Sequence, residues 1–73
     1  MAGRDLTWDD TERLGIALCK RYPEIEPGGL GLRDVQRYAT SLGDFKGDPA
    51  SYDEGKLEAI RSAWTTEFLD RTQ

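Results

Sequence analysis

The chain has 73 residues, 14 acidic against 10 basic, with a formal net charge of −4, no histidine and one cysteine, Cys19. At this size folding buries only about 60 to 65% of the surface an unfolded chain exposes, so the core is small and a deep catalytic cleft is excluded. The charge balance repels nucleic-acid phosphates and anionic membranes and suits a basic protein surface or a hard cation. A zinc site of nitrogen and sulfur ligands, an internal disulfide and imidazole acid–base chemistry are excluded as well.

Neither a signal-type apolar run nor an 18-residue apolar stretch occurs, and a cytoplasmic location is expected. After a loose Met1–Arg4, Thr7 is expected to cap a first helix beginning near Trp8 or Asp9, with Asp9 and Asp10 in its first turn, where carboxylates suit the helix dipole. Leu14, Ala17, Leu18 and Tyr22 lie on one helical face, and Pro23 marks the end. Cys19 lies beside that face with no histidine or second cysteine to activate it, which makes it a structural thiol.

Pro27, Gly28, Gly29 and Gly31 form a connector with room for a short strand, from which Leu30 and Leu32 reach back to the core. These glycines match neither a phosphate loop nor a dinucleotide fingerprint. A second helix is predicted from about Leu32 to Leu42, with Val35, Tyr38, Ala39 and Leu42 on one side, a stop at Gly43, and Phe45 folded back onto that side. Asp48-Pro49 disfavours helix, and Ser51 with Glu54 has capping-box spacing, so a third helix is predicted from about Tyr52. Its stripe is Leu57, Ile60, Trp64 and Phe68. The expectation is an all-α, small three-helix bundle with Gly/Pro-rich connectors, each stripe buried against the other two. Residues 1–6 are expected to be a flexible N-terminus, 7–70 a single domain and 71–73 a frayed end.

Trp8 and Trp64 read as core rather than as a ligand platform. Glu54 and Glu58 lie one turn apart with Asp53 beside them, a patch able to hold a cation loosely. The competing reading is a solvated helix face diluted by Lys56 and Arg61. Neither acid cluster is embedded in apolar sequence, so no carboxyl is set up as a general acid, and no enzyme is expected. A DNA-binding reading needs a basic recognition helix, whereas the second helix offers only Arg33 and Arg37, offset by Asp34.

In order, Trp8-x-Asp10, Leu14-Gly15-x-Ala17-Leu18, Tyr22-Pro23-x-x-x-Pro27, Asp34, Leu42-x-Asp44-Phe45-x-x-Asp48-Pro49 and Leu57-Glu58-Ala59-Ile60-x-x-x-Trp64 resemble the IscX family of iron–sulfur cluster assembly proteins, from about Thr7 to Phe68. The resemblance implies a winged-helix-like bundle that binds the cysteine desulfurase, competes with frataxin for its basic surface, and binds iron weakly through surface carboxylates. It implies a noncatalytic regulator, monomeric, with no tightly bound cofactor and no nucleic-acid or membrane partner. Together with the acidic surface, it makes Asp10, Asp34, Asp44, Asp48, Glu54 and Glu58 the candidate contact acids. The alternative is a weak Fe(II) carrier or sensor using Asp53, Glu54 and Glu58. At Lys46 and Gly47 the chain departs from the family's usual acidic run, which weakens iron binding at this loop more than docking. Tyr38, where relatives often carry tryptophan, is a milder change.

Overall fold

A computed structural model describes residues 6–71. Three α-helices, α1 (Thr11–Arg21), α2 (Leu32–Thr40) and α3 (Glu54–Arg71), surround one core, and among the described residues there is no strand. The three-helix bundle is as expected.

α1 starts later than Trp8, because Thr7 does not cap it. Thr7 to Asp10 forms a turn in which the Asp10 N–H donates to the Thr7 carbonyl at 2.9 Å and the Thr7 N–H donates to Asp10 Oδ2 at 3.0 Å. The carboxylate thus secures the turn ahead of the helix, and the Asp10 carbonyl takes the first helical bond, from the Leu14 N–H. Trp8 is buried in this turn rather than on a helical stripe. At the other end the helix stops before Pro23, whose fixed φ and neighbour restrictions oppose its extension. Leu14, Gly15, Leu18 and Cys19 are buried, so the thiol is core.

The first connector contains a 3₁₀ turn, Pro27–Gly29, and not the short strand for which it has room. Proline at the first position of a helical turn gives up an N–H that would have no partner there. The Arg61 guanidinium donates to the Leu30 carbonyl at 2.9 Å and ties this connector to α3. α2 ends at Thr40, short of Leu42, and hydroxyls satisfy two of its closing carbonyls: Thr40 donates to Arg37 and Ser41 to Tyr38, at 3.1 and 2.7 Å. Leu42 still turns inward and is buried. With the Ser41 proton committed to Tyr38, the Tyr22 hydroxyl is the donor in its 2.8 Å bond to Ser41 Oγ, which joins the C-terminal ends of α1 and α2.

Asp53, not Ser51, caps α3. Its carboxylate accepts the Gly55 N–H at 2.9 Å and its carbonyl accepts the Leu57 N–H, so the helix begins at Glu54 rather than Tyr52. Ser51 is drawn away to the Asp48 carboxylate, at 3.0 Å. Leu57, Ile60 and Trp64 are fully buried, while Phe68 packs at the core margin.

α3 is the spine. α1 lies along it and α2 packs on its side, but α1 and α2 hardly meet, which corrects the expectation that each stripe faces both others. The close α1–α3 seam depends on Gly15: a Cβ there would stand 2.6 Å from Ala63 Cβ and 2.7 Å from the Trp64 backbone nitrogen. An edge-to-face aromatic chain then links the helices, Tyr22 to Tyr38 at 4.9 Å and Tyr38 to Trp64 at 5.8 Å between ring centroids.

Leu6 pairs in parallel with Phe45. Its N–H donates to the Asp44 carbonyl and its carbonyl accepts the Lys46 N–H, at 2.9 and 2.7 Å. The side chain is buried, so Leu6 belongs to the domain rather than to a flexible N-terminus, and α3 remains helical through Arg71. The expectations for residues 1–5 and 72–73 lie outside the described residues.

Candidate functional site

The long connector between α2 and α3 is held at two of its backbone carbonyls. The Trp8 indole N–H donates to the Asp48 carbonyl at 2.7 Å, and the Gln36 side-chain amide donates to the Pro49 carbonyl at 3.1 Å. Phe45 packs edge-on to Trp8 with ring centroids 4.7 Å apart. A Cβ at Gly47 would stand 2.9 Å from the end of the Phe45 ring and 3.4 Å from Thr7 Cα, so glycine lets the loop close over the aromatic pair. Tyr52 extends the cluster, 6.5 Å from Trp8 and half exposed.

This anchoring brings the N-terminal ends of α1 and α3 and the connector together at one end of the molecule. Asp9, Asp10, Asp48, Asp53 and Glu54 all sit there, near the positive ends of two helix dipoles, and Glu58 lies one turn further along α3. Lys56 forms an ion pair with Asp9 across the seam. The bonded Asp9 carboxylate, assisted by the charges of Asp9 and Asp53, raises the Lys56 pKa above its ordinary value. This contribution is complete below the ordinary lysine value and disappears as pH rises through the raised one.

Asp48 is fully exposed yet firmly held. The Ala50 N–H and the Ser51 hydroxyl each donate to its carboxylate at 3.0 Å, and these two bonds hold its pKa below the usual aspartate value. Stability from this turn is therefore present above the ordinary aspartate pKa and is lost as pH falls through the lowered one. A carboxyl-carbon NMR titration should show Asp48 deprotonating at lower pH than it does in Ser51→Ala. Equal midpoints in the two proteins would mean the hydroxyl bond does not form.

The six candidate contact acids do not make a single face. Asp10, Asp48, Glu54 and Glu58 share the end just described. Asp34 lies at the start of α2, its carboxylate 3.4 Å from the Gly31 N–H, in a groove with Tyr22, Tyr38 and Ser41. Asp44 borders a different groove on α1, beside Arg13, Lys20 and Arg21. Residue spacing gave no hint of the Asp9–Lys56 pair, whose members stand 47 positions apart. Tyr52 was legible only as a helix-start residue.

The same geometry bears on a metal. Asp53 commits a carboxylate oxygen to its capping bond, and the described residues contain no group of three or more carboxylates or thiolates arranged to hold one cation. A hard cation takes six or more oxygens, so Asp53, Glu54 and Glu58 do not fit a resident iron site.

A family model described as iron-sulphur cluster assembly matches residues 6–69. The chain belongs to this family, the IscX family. The IscX-type match therefore includes Leu6, the residue that pairs with the connector. An uncharacterized protein of Pseudomonas aeruginosa is 36% identical over 62 residues, covering 85% of this chain and 94% of its own length. Membership places the chain in iron–sulphur cluster assembly. Among the described residues no helix is long and apolar enough to cross a membrane.

Proposed function

We propose that this IscX-family chain is a noncatalytic, monomeric adaptor that docks on a basic surface of the cysteine desulfurase through its acid-bearing end, where it competes with frataxin. The observation that carries this reading is the way the acids are presented. Asp48 is exposed but orientated by two hydrogen bonds, and Glu54 and Glu58 are exposed on the first two turns of α3. A carboxylate fixed as Asp48 is loses little freedom on meeting a basic surface, and the spread of the acids suits electrostatic docking better than chelation. Asp10 supports this end, whereas Asp34 and Asp44 stand apart from it. Tyr52, half exposed between Asp48 and Glu54, offers the surface an aromatic contact.

Calorimetry with purified desulfurase at low salt tests the assignment. The combined variant Asp48→Lys, Glu54→Lys, Glu58→Lys should weaken binding by about tenfold or more, and Asp34→Lys should change it little. Unchanged affinity in the triple variant, or no binding by the parent chain at low salt, overturns the reading. Adding frataxin to the preformed complex should displace this chain; a ternary complex would exclude competition.

A further inference from the structure

The other notable surface has the opposite chemistry. Because α1 and α2 hardly meet, a groove of about 470 Å³ opens between the outer side of α1 and the turn after α2. Ile16, Ala17 and Leu42 contribute apolar surface, and Arg13, Lys20 and Arg21 stand along the rim. These three cations are exposed, and the one ion pair among the described residues, Asp9 with Lys56, involves none of them, although the Arg21 guanidinium also lies over the Tyr22 ring, 5.1 Å from its centroid. Asp44 is the single acid in the lining.

Lys20 and Arg21 have an ordinary explanation as cations at the negative end of the α1 dipole. That explanation does not reach Arg13, in the first half of the helix, nor Ile16, which remains only half buried beside it. On a chain of net charge −4, three cations around an apolar floor make a local inversion of sign. Such a combination selects an anionic partner that also has something apolar to bury.

We infer that this groove is a second docking surface, which takes an acidic protein segment with an aliphatic anchor: the anchor rests on Ile16, Ala17 and Leu42 while its carboxylates meet Arg13, Lys20 and Arg21. A nucleic-acid backbone would use the cations but leave the apolar floor unsatisfied, and the remainder of the chain would repel a long polyanion. The surface is separate from the acid-bearing end, so the domain is two-sided, with one face for a basic partner and one for an acidic partner.

The test uses the full chain and two synthetic peptides, each with two leucines one helical turn apart, set among glutamates in one and lysines in the other. In amide NMR titrations at low salt, the glutamate peptide should shift Arg13 to Arg21 and Leu42 to Asp44 saturably, and the lysine peptide should not. Lys20→Glu with Arg21→Glu changes only exposed positions and should weaken the glutamate peptide by about tenfold or more. Ile16→Ser, with its fold checked by circular dichroism, should weaken it as well. Neither variant should weaken desulfurase binding, so this inference and the desulfurase assignment can fail separately. Absent, scattered or unsaturable shifts overturn it, as does unchanged affinity in the charge-reversed variant. Equal binding of a short DNA duplex would make the groove a general anion surface. A concentration-dependent dimer covering the groove in sedimentation would make a second copy its occupant.

Discussion

Gly15→Val should strongly destabilise the domain. At this position even a Cβ would come within 2.7 Å of the Trp64 backbone nitrogen and 2.9 Å of the Ala63 carbonyl carbon. Backbone atoms of a packed helix cannot swing aside as a side-chain tip can, so α1 and α3 must separate along the seam that forms most of the core. Overpacking costs about 1–3 kcal/mol and occasionally more, and a clash with backbone belongs at the upper end. The helix-propensity advantage over glycine returns less than about 1 kcal/mol. Urea denaturation followed by tryptophan fluorescence should show a loss of about 3 kcal/mol or more, a large fraction of the stability of so small a domain. Gly15→Ala should lose less, and adding Ala63→Gly should restore only part of that loss, because the Cβ contact at 2.6 Å disappears while the backbone contacts remain. A wild-type midpoint for Gly15→Val would show that the helices are not in contact here.

Trp64→Ala should cost about 3–5 kcal/mol, the range for truncating a large aromatic in a core. Trp64 is completely buried at the centre of the α3 stripe and anchors the aromatic chain through Tyr38 to Tyr22. Trp64→Phe should cost much less than its lost volume suggests. Among the described residues the Trp64 indole N–H is buried without an acceptor, so the phenyl ring removes an unsatisfied donor along with the second ring of the indole. The phenylalanine variant also leaves Trp8 as the sole tryptophan, reporting on the connector that carries Asp48. Equal losses for alanine and phenylalanine would mean that Trp64 is not held in an apolar site.

The helical stripes were legible because burial and periodicity are the same fact seen twice. Leu14 with Leu18, Val35 with Ala39, and Leu57 with Ile60 and Trp64 recur at the spacing of one helical face, and the folded chain buries all of them. The stops were legible where proline or glycine leaves the backbone little choice, as at Pro23. The starts were not. Thr7 and Asp10, or Ser51 and Asp53, are acceptable caps only a few residues apart, and the choice between them follows from where the neighbouring turn is pinned. Asp48 takes the Ser51 hydroxyl, leaving Asp53 to cap α3.

The candidate site divides in the same way. That Asp48, Glu54 and Glu58 would be exposed followed from the absence of apolar sequence around them. Their grouping with Asp9 and Asp10 depends on the Trp8–Asp48 hydrogen bond and the Asp9–Lys56 pair, contacts across 40 and 47 positions. Asp34 and Asp44, equivalent to the others as letters, fall in other grooves.

By itself, the sequence determined a small acidic three-helix domain, its buried stripes, its structural thiol and its resemblance to a family whose model spans nearly the whole chain. Those features depend on local spacing, composition and ordered motifs, which a linear chain carries in full. Only the tertiary structure decided that α3 is the spine, that Gly15 sets its distance from α1, and that Asp9, Asp10, Asp48, Asp53 and Glu54 gather at one end while Arg13, Lys20 and Arg21 border an apolar groove. Each of these depends on which distant backbones approach one another, and that is set by packing the whole core at once.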